Sequence, residues 1–181
     1  CLVANHPIEQ RLRRIFPEVG PIEGSRSGQT PSMAHALEKV TLALQAQAGC
    51  PVTFSRTTAT EEAGVYQVVV QYSEEAVGRL ALELAEKLCQ SAMEGHGFDL
   101  ESALAQLHEL DEDVRLGPST GAIVDAAVAR GVPFRRLTDG SLVQFGWGSQ
   151  QRRIQAAEID STSAIAESIA QDKDLTKQLL H

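Results

Sequence analysis

Two lysines in the last part of the chain have a spacing that could bind an anion. Lys173 and Lys177 are four residues apart, so they share one face of any helix that carries them. Like charges one turn apart repel each other unless acids intervene or an anion lies between them, and Asp172 and Asp174 partly compensate. The pair is therefore either an anion contact or the solvated end of a charged helix, and the spacing alone favours the solvated helix.

One long helix is predicted to position these lysines. Residues 160–163 offer several capping side chains, and apolar residues then recur at helical spacing up to Leu180. We expect one helix from Ser161 onward with a single buried stripe, consisting of Ile165, Ile169, Thr176 and Leu180.

A second candidate, Ser119, stands at the start of another predicted helix. Pro118 and Gly131 bracket this helix, because proline is favoured in the first turn and glycine just past the end. A serine at a helix start can contact a ligand or simply cap the helix. The following segments, 133–137 and 142–145, flank an Asp-Gly turn and predict a hairpin, and an extended segment resumes at Arg152.

The first part of the chain predicts amphipathic helices around a small sheet. Helical apolar faces are expected in four segments, at residues 6–17, 32–48, 73–95 and 99–110. Strands are predicted at Pro51–Phe54 and Val65–Tyr72, with the polar connection 57–64 between them. The helix that follows the second strand is expected to pack on the face of that strand that carries Tyr66 and Val70.

The net charge of −8 is concentrated in this first part. Residues 1–115 hold 17 of the 24 acids and 9 of the 16 bases, whereas residues 116–181 hold 7 of each. An acidic excess argues against a nucleic-acid partner and is compatible with a cationic or zwitterionic one, although composition alone favours plain solubility as its explanation.

Other kinds of site find little support. The five histidines are scattered, the Gly146-x-Gly148 pair lacks the rest of a dinucleotide fingerprint, and no catalytic constellation is complete. The three cysteines are an odd number without metal-like spacing, which is typical of a reduced cytoplasmic protein, and we expect Cys50 and Cys89 to be buried. No apolar run approaches the ~20 residues that span a bilayer, so no membrane partner is expected.

Three arginines at residues 11–14 could hold an anion or form a solvated face.

Five motifs, in this order and spacing, resemble the cyanophycin synthetase family, and a looser resemblance covers residues 34–72. The motifs are Gly117–Val124, Ser141–Gln144, Gln151–Gln155, Thr162–Ala166 and Gln171–Lys177. In the family, the helix at residues 32–48 carries two histidines one turn apart. Here His35 is followed by Lys39, so we assign no metal site.

The resemblance implies an ATP-dependent ligase that joins aspartate and arginine into the storage polymer cyanophycin. It implies that Lys173 contacts the phosphates of ATP and that Ser119 faces the end of the growing polymer. ATP and Mg²⁺ are expected in the full-length enzyme, with the magnesium ligands and the rest of the active site beyond His181, so this chain should not be active alone. We expect the acidic first part to hold the polymer, whose arginine side chains could pair with Glu61, Glu62, Glu74 and Glu75.

Two alternatives remain at this point. The first part of the chain could be only an assembly or scaffold element of a homo-oligomer, with all substrate contacts downstream. The chain could also belong to another ATP-grasp amino-acid ligase, which fits residues 116–180 less well.

The predicted fold class is α+β. Residues 1–115 are expected to form a small antiparallel sheet packed by amphipathic helices, and residues 116–181 the first α/β lobe of an ATP-grasp domain. The first residue is Cys1, and Leu2–Ala4 have the pattern of a strand already under way, so we expect the chain to begin and end within domains.

Overall fold

A computed structural model describes residues 6–24, 31–156 and 158–180. The chain forms two compact units, the first ending at Val114 and the second beginning at Arg115, and each is described by itself. The strand pattern expected at Leu2–Ala4 lies outside the described residues.

The first unit combines helices with one β-hairpin. Its helices are α1 (His6–Ile15), α2 (Met33–Gln47), α3 (Glu75–Glu94) and α4 (Leu100–Val114). Its strands, β1 (Ser55–Ala59) and β2 (Tyr66–Val70), pair antiparallel. Helix α2 is central, because it packs against the hairpin and against both α3 and α4. The largest side chains buried in this core include Leu12, Phe16, Leu44, Leu88 and Leu107.

Helix α1 has the predicted apolar face, and two of its arginines bond to other groups of the chain. Leu12 and Phe16 are fully buried. Arg11 donates from Nη1 to the backbone oxygens of Ala92 and Met93, at 3.2 and 3.1 Å, near the end of α3. Those carbonyls lack helical donors, so a guanidinium stabilises them. Arg13 forms an ion pair with Glu9 at 2.8 Å. Arg11 and Arg13 therefore both have acceptors within the chain, which argues against their holding an external anion.

The first strand lies four residues later than predicted. The segment 51–54 is not a strand, and β1 instead begins at Ser55. Its sequence Ser-Arg-Thr-Thr-Ala has no apolar alternation, because the side chains that point toward α2 are Ser55 and Thr57, which bond polar partners. A search for apolar alternation could not find such a strand.

The second strand alternates as predicted, but a different helix covers it. Tyr66, Val68 and Val70 are half-buried, and Gln67 and Val69 are exposed. Helix α2, and not α3, packs across the hairpin, so the predicted packing of α3 on this face is wrong. Helix α3 packs on α2 beside the hairpin and leaves a groove next to β2.

Helices α3 and α4 have the predicted stripes and ends. Their buried residues include Val77, Ala81, Leu84, Leu88, Ala103 and Leu107. Gly95 takes the left-handed conformation that ends α3, with φ of 77°. Asp99 accepts a hydrogen bond from the backbone N–H of Ser102 at 3.0 Å and so caps α4 where the predicted segment begins. Cys50 and Cys89 are buried, as predicted.

In its described residues, the second unit contains an antiparallel sheet, three α-helices and a short 3-10 helix at Gly148–Gln150. The helices are α5 (Pro118–Val128), α6 (Ala164–Gln171) and α7 (Lys173–Leu180). The strands are β3 (Phe134–Arg136), β4 (Leu142–Phe145), β5 (Arg152–Gln155) and β6 (Glu158–Ile159), paired in that order. The β3–β4 hairpin and the extended segment at Arg152 were predicted, whereas β6 was not. The small core contains Val124, Val143 and Ile154.

The predicted final helix is wrong in two respects. Asp172 has extended geometry, with φ of −93° and ψ of 99°, and divides the segment into α6 and α7. Its carboxylate accepts the backbone N–H groups of Asp174 and Leu175 at 3.0 and 2.9 Å, so it caps α7. The expected stripe is not buried in this chain, because Ile165 is 74% exposed and Leu180 is 80% exposed.

The structure is therefore α+β with small antiparallel sheets. None of the helices within the described ranges has the length and apolar character needed to cross a bilayer.

Candidate functional site

The four glutamates predicted to bind polymer lie at two places on the first unit. Glu61 and Glu62 are exposed in the turn that joins β1 to β2. Glu74 immediately precedes α3 and is half-buried, and Glu75 is the first residue of that helix. Glu75 forms an ion pair with Arg79 at 2.7 Å, one turn along α3. Among the described residues, Glu61 and Glu62 form no ion pair.

The structure does not gather these four carboxylates into one cluster. Ala59 pairs with Tyr66 at the turn end of the hairpin, and Ser55 pairs with Val70 at the other end. Strands rise about 3.3 Å per residue, so the two ends are about 13 Å apart. Glu61 and Glu62 lie beyond the first end, whereas Glu74 and Glu75 follow the second. Any ligand that contacts both pairs must therefore extend along the hairpin.

A polar network that sequence reasoning missed lies between α2 and the hairpin. Glu38 of α2 is 4% exposed. Its Oε1 accepts a hydrogen bond from Ser55 Oγ at 2.7 Å and lies 3.1 Å from Lys39 Nζ. Burial favours the neutral acid and would raise the pKa of Glu38, but bonds from Thr57 and Ser55, together with the ammonium of Lys39, lower that pKa below its usual value. The carboxylate is therefore ionised at neutral pH. Its hydrogen bonds with Ser55 and Thr57 hold β1 against α2.

A signal for this network was present in the sequence of α2. Glu38, Thr41 and Gln45 recur at spacings of three and four, so they form a polar stripe beside the apolar one. All three are buried. A polar stripe of this kind is ordinarily interpreted as facing solvent. Its burial therefore becomes apparent only when the packing of the hairpin on α2 is known.

His35 caps the start of α2. The backbone N–H of Ser32 donates to His35 Nδ1 at 3.2 Å, and Ser32 Oγ lies 2.8 Å from the same nitrogen. Burial lowers the pKa of His35, and Lys39 adds to this while Glu38 opposes it. The neutral ring packs edge-on against Tyr66, with centroids 5.6 Å apart. Within residues 6–24, 31–156 and 158–180, no three His, Cys, Asp or Glu side chains are grouped closely enough to share a metal ion.

Ser119 is exposed near the start of α5, and the structure removes the capping explanation for it. Gly117 is the residue at the N-cap position, so Ser119 lies inside the first turn. Thr120 is the side chain that ties this helix to the sheet, because its Oγ1 donates to the backbone oxygen of Ala156 at 3.3 Å. The contact of Ser119 with a polymer end stays a prediction.

Lys173 is the exposed first residue of α7, and Lys177 follows one turn later on the same helix. A helix N-terminus attracts phosphate through its free N–H groups, but the carboxylate of Asp172 occupies two of these groups. A phosphate near Lys173 would therefore be held by ammonium groups more than by the helix end. The nucleotide contact also stays a prediction.

Comparison with known proteins places the first unit in a family. Residues 8–94 match the family model described as the cyanophycin synthase-like N-terminal domain. Over 151 residues, or 82% of the chain, the sequence is 41% identical to proteins named cyanophycin synthetase from Trichormus variabilis and Nostoc sp.. It is 38% identical over the same length to the cyanophycin synthetase of Crocosphaera subtropica. The chain spans 17% of the length of each of these relatives. Residues 8–94 therefore form a domain of the cyanophycin synthase-like N-terminal family.

Proposed function

We propose that this chain is the polymer-holding part of a ligase that makes cyanophycin from aspartate and arginine with ATP. The proposal is supported by the family match and by the similarity to proteins named cyanophycin synthetase. The observation that carries the holding role is the exposed pair Glu61 and Glu62, which form no ion pair among the described residues.

The chemistry of the polymer suits such carboxylates. Each arginine side chain ends in a planar guanidinium that is always charged and can donate two parallel hydrogen bonds to one carboxylate. Exposed pairs of this kind contribute little singly, about 0.2–1 kcal/mol, so holding a polymer requires several contacts along its length. A tether of this sort would keep the polymer near the active site between additions.

The second unit supplies the opening of the ATP-grasp domain in this proposal. Lys173 would contact the nucleotide phosphates, and the exposed Ser119 would face the polymer end. ATP and Mg²⁺ would be bound fully only with residues of the longer enzyme, so the chain alone would bind polymer without joining amino acids. We place the enzyme in the cytoplasm, where reduced cysteines such as Cys50 and Cys89 persist.

Calorimetric titration of the chain with a short, soluble aspartate–arginine polymer tests the proposal. We expect saturable binding that weakens as salt is raised, and no heat with Mg-ATP alone. Replacing Glu61 and Glu62 together with Gln should raise Kd about tenfold, because two charge-assisted contacts are lost. The matched control is Glu83→Gln with Glu86→Gln, which removes the same charge from exposed positions of α3 and should change Kd less than twofold. Absence of polymer binding by the folded chain would refute the holding role.

The assembly alternative has one observation in its favour. The face of the hairpin turned away from α2 exposes Phe54 and Val69, at 55% and 45%. Large exposed apolar side chains are typical of contact surfaces. Light scattering behind size exclusion, at several concentrations, would show a concentration-dependent mass that Phe54→Ser abolishes if this face assembles copies of the chain.

A further inference from the structure

The first unit contains an open groove of about 440 Å³ between β2 and α3. Helix α2 contributes Leu37 and Gln45, β2 contributes Val68 and Val70, and α3 contributes Gly78 and Leu82. Volumes of about 300–1,000 Å³ are typical of ligand sites. The groove belongs entirely to the first unit and is distinct from Ser119 and Lys173.

Gln45, which lines the groove, has a buried side-chain oxygen that lacks a hydrogen-bond partner among the described residues. Gln45 is 1% exposed, and its Nε2 donates to the backbone oxygen of Gln71 at 3.1 Å. Its Oε1 is buried and, among the described residues, accepts no hydrogen bond. A buried oxygen without a donor is destabilising, so the protein alone does not satisfy every polar group in this wall of the groove.

The hydrogen-bond register of the hairpin shows which backbone groups β2 turns outward. Thr60 donates to Val65 at 3.0 Å, and Gln71 donates to Phe54 at 2.9 Å. Bonded and non-bonded pairs alternate along an antiparallel ladder, so Gln67 and Val69 are bonded to β1. The N–H and C=O groups of Tyr66, Val68 and Val70 therefore point away from β1, and no described residue bonds the outward amides.

We propose that the main chain of the aspartate–arginine polymer adds as a third strand to the outward edge of β2, in the groove beside α3. This inference rests on the proposed function, and it names the part of the polymer that is recognised. Strand addition uses main-chain hydrogen bonds for affinity and the surrounding pockets for selectivity.

The charges around the groove are complementary to this occupant. An added strand runs the length of β2, about 13 Å, with Glu61 and Glu62 beyond its turn end and Glu75 of the groove wall following its other end. Guanidinium groups at both ends then meet carboxylates. The Glu75–Arg79 pair at the groove presents both signs of charge to the polymer. The methylenes of arginine cover Val70 and Leu82 while the charged group stays in water.

A proline on the outward edge tests the proposal. Val68→Pro removes an N–H that β1 does not use, so the hairpin should survive, but the polymer loses a donor and meets the ring. We expect Kd for the soluble polymer to rise at least tenfold. The matched control is Ala59→Pro, which removes an outward N–H from the opposite edge of the same hairpin and should leave Kd within twofold. Circular dichroism verifies that both variants are folded.

A second variant and a direct measurement keep the test decisive if Val68→Pro does not fold. Leu82→Trp fills the groove from the partly exposed surface of α3 and should also raise Kd at least tenfold. In the native chain, bound polymer should slow hydrogen exchange of the Val68 and Val70 amides at least tenfold and leave Gln67 and Val69 unchanged.

The outcomes separate this inference from the proposed function. Polymer binding that is weakened about tenfold in the Glu61, Glu62 double variant but unchanged in Val68→Pro and Leu82→Trp overturns strand addition and leaves the holding role intact. Slowed exchange at Val68 and Val70 that depends on protein concentration, without polymer, overturns the proposal in favour of a second copy on this edge. Absence of any polymer binding by the folded chain overturns both strand addition and the proposed holding role.

Discussion

The Glu38 network gives the sharpest prediction about stability. Glu38→Gln keeps the shape of the side chain and removes its charge. The ion pair with the partly exposed Lys39 is worth about 0.5–1 kcal/mol, and two charge-assisted hydrogen bonds, from Ser55 and Thr57, become neutral ones at about 0.5–1 kcal/mol each. We therefore expect the free energy of unfolding of the first unit to fall by about 2 kcal/mol at neutral pH.

Urea unfolding measures this loss if the signal comes from the first unit alone. Trp147, the one tryptophan, belongs to the second unit, whereas both tyrosines, Tyr66 and Tyr72, belong to the first. In a Trp147→Phe background, tyrosine fluorescence therefore follows the first unit. With a slope near 2 kcal/mol per molar urea, the midpoint should fall by about 1 M. Glu61→Gln is the control, because this exposed carboxylate has no ion pair among the described residues, and it should shift the midpoint little.

The pH dependence of the stability difference between the native chain and Glu38→Gln provides a further test. The pKa of Glu38 is lower in the folded chain than its ordinary value of 4.5, so folding favours the ionised form. The stabilisation is complete above pH 4.5 and is lost as the pH falls through the lower folded pKa. The difference between the native chain and Glu38→Gln should therefore shrink in acid. A midpoint unchanged by Glu38→Gln at neutral pH, or a difference that stays constant into acid, would refute the reasoning.

Two further predictions follow from buried or capping groups. Arg11→Met should cost about 1 kcal/mol and speed amide exchange at the end of α3, because two carbonyls there lose their donor, and exposed Arg14→Met is the control. Burial raises the pKa of Cys89 from 9.0 to about 12, which lowers its thiolate fraction at pH 8 about a thousandfold. Peptide-resolved iodoacetamide labelling should therefore find Cys89 nearly inert until urea unfolds the chain, and equal rates in both states would contradict this account.

The sequence predicted those elements whose local signals agree with their packing. Helices α3 and α4 have continuous apolar stripes and recognisable ends at Gly95 and Asp99, and the β3–β4 hairpin has an Asp-Gly turn. Each of these signals acts within a few residues of chain, so it can be found without knowing the tertiary structure.

The failures share a different cause. The sequence prediction misplaced strand β1 and did not identify Glu38 as buried. Both errors have one cause, because polar residues are stable in a core only when a partner satisfies them, and here the inward polar residue of β1, Ser55, and Glu38 are each other's partners. The division between α6 and α7 depends on the side chain of Asp172 bonding backbone groups beyond it, which interrupts a periodicity that by itself predicts one helix. The predicted site residues Ser119 and Lys173 were located, but their ligands remain predictions.

The Glu38 network and the groove are connected through the hairpin. Two strands alone are marginally stable, so β1 and β2 depend on α2 to hold their shape. Ser55 and Thr57 anchor β1 through Glu38, and β2 is held in turn by its pairing with β1. If polymer adds to the edge of β2, the geometry of that edge is set by a carboxylate on the far side of the hairpin. Glu38→Gln should then weaken polymer binding together with stability, whereas the Glu61, Glu62 double variant should weaken binding and leave stability unchanged. This difference would distinguish a residue that positions the groove from residues that contact its ligand.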